Sequence, residues 1–287
     1  MIGGMEKFYI NNSKIKEAEF LIFGIPDDSG SSYKKGSALA PDAMRSISNK
    51  NQMGIVIRAQ GNSLLYPDFY KFNSKISDMG NISKKEKNLK DKIGRKLPIF
   101  IGGDHSITYH MLKQLRPDKE WSFIYFDAHP DFMSSKGSYF GSVVNDLSQL
   151  PNVNMKSSFI IGARVPEGEE IINIKKSKIN LITSYDFVKI GAQKILERVL
   201  KTASKNVYMS IDLDVMDMVF APGVTTPEPG GISSNELIYL VRELAHMVNI
   251  GFDITELCPS FDNDYKTTYI AYKLMLEFIS AKSRKIG

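Results

Sequence analysis

Two histidines and four aspartates, grouped in three short clusters, carry the chemistry legible in this chain. His105 lies in Gly102-Gly103-Asp104-His105-Ser106. Asp127, His129 and Asp131 form Asp127-Ala128-His129-Pro130-Asp131, and Asp212 and Asp214 close Ser210-Ile211-Asp212-Leu213-Asp214. Carboxylates suit hard divalent ions such as Mn²⁺ and Mg²⁺, and imidazoles shift the preference away from Mg²⁺. A structural zinc site normally draws on cysteine, and the chain has one, Cys258. In extended chain, residues i and i+2 point the same way. Asp127, His129 and Asp131 can therefore converge on one centre, as can Asp212 and Asp214, with the alternation only approximate for Asp131 beyond the strand end. Any one of these aspartates alone reads as a turn or helix cap. Their joint occurrence argues otherwise, because the chain has four histidines and two of them fall inside the clusters. His110 and His246 lie in helix-like stretches with no carboxylate pattern and read as structural. Two imidazoles and four carboxylates at one rim are enough for two metal ions that share ligands.

Each cluster must be positioned by the element before it. Apolar runs precede all three: Leu97 to Ile101, Trp121 to Phe126, and Val207 to Met209. Strand-like runs at 20–25, 97–101, 121–126, 158–161, 179–183, 207–211 and 248–253 alternate with helix-like stretches at 106–116, 191–203, 233–247 and 266–282. That alternation predicts a largely parallel sheet flanked by helices, and such sheets bind ligands beyond the carboxyl ends of their strands. Ser233 or Ser234 is the expected N-cap of the 233–247 helix. The 287 residues, 43% of them hydrophobic, show no Pro/Ser-rich linker and no internal repeat. Because the clusters draw on most of the chain, we expect a single domain over 1–287.

Composition excludes several classes. The net charge of +5 is dispersed, and the densest basic stretch, Ser83 to Lys96, interleaves lysines with Glu86 and Asp91. It reads as a solvated helix face or loop, with no nucleic-acid signature beside it. Residues 1–20 lack the basic head and apolar stretch of a signal peptide. No apolar run approaches the roughly 20 residues that span a bilayer. No nucleic-acid partner, no membrane partner and a cytoplasmic location are therefore expected. Cys258 is expected to be a small buried residue, unable to form an internal disulfide.

With these motifs in place, the chain resembles the ureohydrolases, the family of arginase, agmatinase, formimidoylglutamase and guanidinobutyrase. The resemblance covers nearly the whole chain. It begins at Gly24-Ile25-Pro26, Asp28-Ser29-Gly30, Gly36 and Ala40-Pro41 through Arg45, and continues through the three clusters and Gly162-Ala163-Arg164. It ends with Asp217, the loop Ala221 to Gly231, and Asp253-Ile254-Thr255-Glu256. It implies a three-layer α/β/α sandwich around a mainly parallel sheet of about eight strands. It also implies two Mn²⁺ ions per subunit, one held by His105, Asp127, Asp131 and Asp212, the other by Asp127, His129, Asp212 and Asp214. A metal-bridging hydroxide would attack a guanidinium carbon to release an amine and urea. Asp131 would carry the proton to the leaving amine, and Glu256 would bind the substrate's guanidinium. The implied partners are a small guanidino substrate and further copies of the chain, as a trimer or hexamer.

Within the family, Thr225-Thr226-Pro227-Glu228 looks agmatinase-like, and Met133 stands where an arginase has an Asn. Agmatine, giving putrescine and urea, is the first-choice substrate and arginine the second, with Ser134, Ser135 and Ser138 as candidate hydroxyls for a carboxylate. Three positions depart from the family pattern. In Ser138-Tyr139-Phe140-Gly141-Ser142, Phe140 stands where the family often carries a histidine. Met218 replaces a proline and Asn81 an acidic residue, both read as backbone-level changes. A catalytically impaired metal-binding homologue is the non-enzyme alternative.

Overall fold

The computed structural model describes residues 6–50, 74–135 and 139–283. Eight strands form one sheet: β1 (Phe20–Ile25), β2 (Ile76–Asn81), β3 (Leu97–Gly102), β4 (Ser122–Phe126), β5 (Phe159–Ala163), β6 (Asn180–Thr183), β7 (Val207–Asp212) and β8 (Val248–Thr255). Their order is β2-β1-β3-β8-β7-β4-β5-β6, and every pairing is parallel. Strands covered on both faces read as near-continuous apolar runs rather than alternating ones, as Phe20–Ile25 does.

The period of two still appears in which core each residue enters. Phe20 and Ile22 of β1, Ile124 and Phe126 of β4, and Val207, Met209 and Ile211 of β7 feed one hydrophobic core. Their neighbours Leu21 and Phe23, Phe123 and Tyr125, and Tyr208 feed the other. The first core takes in α1 (Ala40–Asn49), α6 (Ser184–Thr202), α7 (Ser234–Leu244) and α8 (Lys266–Lys282). The second takes in α2 (Leu89–Ile93), α3 (Ser106–Leu115), α4 (Val143–Ser148) and α5 (Gly168–Ser177). The result is the expected three-layer α/β/α sandwich.

Register brings the site together. Ile101 of β3 pairs with Ile254 of β8, Ile254 with Ile211 of β7, and Ile211 with Phe126 of β4. This row crosses the four central strands at their carboxyl ends, one residue before Gly102, Thr255, Asp212 and Asp127. All three clusters and Glu256 therefore leave the sheet along one edge.

The structure departs from the sequence expectations in several elements. All seven expected strands are present. The eighth, β2, was not expected because Ile-Ser-Asp-Met-Gly-Asn lacks an apolar run; as an edge strand it spends polar side chains on neighbouring backbone and on Arg45. The stretch at 191–203 is the second part of α6, which Gly191 interrupts at φ 74°. The 233–247 helix ends at Leu244. Helices α1, α2, α4 and α5 were not expected, and α2 lies within the basic stretch read as helix face or loop. Among the described residues, no helix is long and apolar enough to cross a membrane.

Candidate metal centre

Three tight structures after the central strands point the six candidate ligands inward. After β3, Asp104 accepts hydrogen bonds from the Ser106 N–H at 3.0 Å and the Ser31 N–H at 2.9 Å. It thereby fixes the turn on which His105, the first residue before α3, sits. The second cluster is not extended chain: β4 ends at Phe126, and the His129 N–H folds back on Asp127 Oδ1 at 2.6 Å. Asp131 adopts a left-handed φ of 49°. The third cluster is a 3₁₀ turn, Leu213–Val215, which Asp212 caps through Oδ1 to the Asp214 N–H at 2.7 Å. Short turns, not the strand alternation expected from the i, i+2 spacing, therefore gather the carboxylates.

The six side chains meet. His105 Nδ1 lies 2.9 Å from Asp127 Oδ2, 3.2 Å from Asp212 Oδ2 and 3.7 Å from Asp131 Oδ2. His129 Nδ1 lies 3.1 Å from Asp214 Oδ2 and 3.4 Å from Asp127 Oδ1. Two triplets each offer ligand atoms within 4.8 Å of one another: His105, Asp127 and Asp131, and then Asp127, His129 and Asp214. Asp127 belongs to both, as a bridging ligand must. Asp212 lies outside both triplets despite its approach to His105. All of these are buried except His129, which is half-buried.

Burial opposes charge throughout, and the neighbours decide each direction. Burial disfavours the His105 cation, yet the hydrogen bond and charge of Asp127, with Asp131 and Asp253, push its pKa up to about 9. His129 is raised against burial by Asp214 and Asp127. Asp127 is lowered against burial by its hydrogen bonds to both imidazoles. Asp131 and Asp212 go the other way: burial, then the charge of neighbouring aspartates, raises both well above the usual carboxylate range. A buried site in which carboxylates repel one another is one that divalent cations would relieve. The donor set of oxygens and imidazole nitrogens, without thiolate, fits Mn²⁺-like ions.

Further groups complete the site. Glu256 immediately follows β8 with a left-handed φ of 63°, a conformation that costs of order 1–3 kcal/mol in a non-glycine residue. Its Oε1 accepts from the His105 N–H at 2.8 Å and its Oε2 from Thr225 Oγ1 at 2.9 Å. Burial and the charge of Asp104 push its pKa up to about 8. Thr226 Oγ1 donates to Asp214 Oδ2 at 3.0 Å, so adjacent threonines of the 221–231 loop reach the guanidinium candidate and a ligand. Behind His105, Nε2 lies 2.8 Å from Ser210 Oγ, which donates to Asp253 Oδ1 at 2.6 Å. A hydrogen-bonded chain of this kind fixes the ring and leaves Nδ1 for a ligand role.

The resemblance placed the loop of Thr225 and Thr226 at the rim of the site without giving either a contact, Ser210 and Asp253 stood in the motifs without a role, and Tyr125 was passed over. Tyr125 left a signal, since it stands two residues before Asp127, but in an apolar run it reads as core. Phe140 is half-buried and belongs to neither core. Its N–H donates to the Gly30 carbonyl at 3.3 Å, and its ring meets Tyr139 edge-on at 5.0 Å. The turn it opens is tied to the second cluster, because Met133 donates to Gly141 and Val144 to Asp131. Asn81 is not a backbone-level change: its Oδ1 accepts from buried Arg45 at 2.5 Å and its Nδ2 donates to Asp42 at 3.0 Å. Met218 is exposed and Cys258 is buried, against Gly36. Ser134 and Ser135 follow the second cluster, while Ser138 lies outside the described residues. His110 is half-buried on α3, and the His246 carbonyl accepts from Lys282.

The arginase-family model matches residues 18–280. An agmatinase of Pyrococcus horikoshii is 31% identical, over 94% of this chain and 94% of its own length. One from Halalkalibacterium halodurans is 28% identical over 95% of each chain. Among solved structures, the agmatine ureohydrolase of Thermoplasma volcanium superposes with a TM-score of 0.82 at 30% identity, covering 98% of this chain and 95% of that one.

Proposed function

Because this chain belongs to the arginase family and is a hydrolase of guanidino carbon–nitrogen bonds, we propose that it is an agmatinase, converting agmatine to putrescine and urea with two Mn²⁺ ions per subunit. The observation that carries this reading is the pair of ligand triplets sharing Asp127, with the Glu256 carboxylate bonded to the His105 backbone beside them. His105, Asp127, Asp131 and Asp212 would hold one ion, and Asp127, His129, Asp212 and Asp214 the other. Divalent ions so held would lower the pKa of a coordinated water from about 15.7 towards 7, and so would supply a nucleophile at neutral pH.

The remaining work falls to the chain. Glu256, whose charged form a bound guanidinium would favour against its raised resting pKa, would grip the N–H groups through charge-assisted hydrogen bonds, and its bonds to His105 and Thr225 fix the side chain before substrate arrives. Attack destroys the delocalisation of the guanidinium, so positioning must favour the tetrahedral transition state over the flat ground state. Asp131, as a carboxylate beside the nucleophile, would take the proton that the nucleophile releases and deliver it to the leaving amine.

Arg164, the cation of the Gly162-Ala163-Arg164 motif, spends its guanidinium on the backbone carbonyls of Pro229, Gly162, Val215, Asp214, Met216 and Glu228. It is thus committed to holding loops, not to a substrate carboxylate. Acidic side chains of the α5 terminus clamp the segment after Asp131, Glu170 accepting from the Phe132 N–H at 2.9 Å and Glu169 from the Ser134 N–H at 3.0 Å. The choice of agmatine over arginine rests instead on the agmatinase-like stretch Thr225-Thr226-Pro227-Glu228 and on Met133. We infer further that residues 1–287 act as one domain, in the cytoplasm, as a homo-oligomeric trimer or hexamer that engages neither nucleic acid nor membranes and contributes putrescine to polyamine synthesis.

A urea-release assay with added Mn²⁺ against agmatine, arginine, guanidinobutyrate and formimidoylglutamate tests the reading. The highest kcat/KM is expected on agmatine. A preference for arginine would make the protein an arginase, and no turnover of any substrate by protein carrying two ions would make it a metal-binding homologue without the activity.

A further inference from the structure

One hydroxyl reaches the metal centre from the core beneath it. Tyr125 of β4 is fully buried among the apolar side chains of the second core, and its ring stacks on that of His105, centroids 4.3 Å apart and planes 6° from parallel. Its hydroxyl donates to Asp131 Oδ2 at 2.6 Å and lies 2.9 Å from His105 Nδ1. A tyrosine needing only a partner for a buried hydroxyl would be satisfied by any carbonyl. This one engages the residue assigned to proton transfer and the ring nitrogen assigned to an ion.

We propose that Tyr125 is a positioning residue of the reaction, holding the Asp131 carboxylate and the His105 ring in one fixed relation. The inference rests on the two-ion reading given above. Asp131 needs such help because it stands outside regular structure, in a left-handed conformation, its backbone tied through the Val144 N–H to its carbonyl. Among the described residues, Tyr125 is the group that donates a hydrogen bond to its carboxylate. The phenol's bond to Oδ2, the oxygen that also lies 3.7 Å from His105 Nδ1, restrains rotation about the terminal side-chain bond. The stacking does the same for His105, whose far nitrogen is already engaged by Ser210. Tyr125 therefore couples the orientation of a ligand to that of the proton carrier, two tasks that a hydrophobic side chain of equal size would leave independent.

Tyr125→Phe keeps the ring and the stack and removes the donor. The full-length protein, loaded with Mn²⁺, would be dialysed against graded chelator and its metal counted per chain. Melting would be followed in excess chelator, and kcat and KM measured at saturating Mn²⁺. The expected result is that one of the two ions is lost at a chelator concentration about 10–100-fold lower than in the parent, the usual consequence of losing an outer-shell partner. The kcat should fall with KM unchanged, the metal-free melting temperature should match the parent, and the kcat loss should disappear when the same change is made in an Asp131→Asn background. Parent-like retention of both ions with parent-like kcat overturns the proposal. So does a variant that melts early or fails to fold while the surviving protein keeps both ions, since the phenol would then serve the fold alone. A parent protein that holds fewer than two ions or releases no urea would instead refute the functional reading, and that arm is read before any variant is made.

Discussion

At the residue scale, the site divides between groups whose chemistry is visible in their type and groups that matter through what they touch. Glu256 belongs to the first kind. Glu256→Gln preserves its size and its acceptor for the His105 N–H but removes the charge that meets a guanidinium. The expected outcome is a kcat/KM lowered by at least about 10-fold, given that hydrogen bonds to charged groups are worth about 1.5–3 kcal/mol, with two ions still counted per chain. An unchanged kcat/KM would put the guanidinium elsewhere. Phe140 is the informative departure. Because its side chain joins neither core while its turn is tied to Asp131 and Met133, Phe140→His should fold normally and retain metal. If the ring faces the substrate, the new imidazole adds a proton relay and raises the rate by at most about 10²–10⁴-fold. A lowered melting temperature without faster urea release would count against a missing relay. The six candidate ligands stood out because acids and imidazoles after apolar runs have few bland explanations in combination, while Glu256 was reached only through the family resemblance. Tyr125 and Ser210 did not stand out, because a phenol or hydroxyl inside a strand looks like core until the partner strand is in place.

At the element scale, central strands were legible and edges were not. Parallel strands buried on both faces must be apolar, so β3, β4 and β7 announce themselves. β2 faces different demands: its Asp78 pairs with buried Arg45 through two contacts at 2.9 and 3.0 Å and also accepts the Phe8 N–H, so polar residues occupy a strand. Asp78→Asn should leave the Arg45 charge poorly compensated and cost about 3–5 kcal/mol of stability in denaturant unfolding, with metal content unaffected. The start of α7 was legible for a local reason, since Ser233 and Glu236 form a reciprocal capping box. Ser233→Ala should cost about 0.5–2 kcal/mol, read as a lower melting temperature with kcat intact. Helix α3 adds a pH dependence. Burial, then the charges of Lys84 and Lys113, lowers the pKa of His110 from 6.5 to about 4. Between those values the unfolded chain binds a proton that the folded one refuses, so this contribution is complete above pH 6.5 and is lost as pH falls towards 4. His110→Gln should therefore lose less stability than the parent over that window, and parallel curves would show that His110 does not titrate this way.

At the scale of the whole molecule, chain order and strand order disagree in a way that gives the metal centre a structural task. β1 to β3 build one flank and β4 to β6 the other, while β7 and β8, last in sequence, lie between them. Among the described residues, the strands of the two flanks pair only through these late strands, and the candidate ligands come from both sides of the join: His105 after β3, Asp127 to Asp131 after β4, Asp212 and Asp214 at β7. Ions bound there would cross-link the flanks at the carboxyl edge, where mutual repulsion of Asp127, Asp131, Asp212 and Asp214 otherwise works against closure. A ligand that binds only the folded state stabilises it by about 2.7 kcal/mol at 100 times its dissociation constant. Mn²⁺ should accordingly raise the melting temperature in a concentration-dependent way, and chelation should lower it without abolishing the fold, because both hydrophobic cores are independent of the ions. Hydrogen exchange locates the effect: protection should fall most in β7 and the ends of β3 and β4, and least in edge strands β2 and β6. A melting temperature indifferent to Mn²⁺, or a loss of protection spread evenly over the sheet, would mean that these six residues do not join the two flanks through metal.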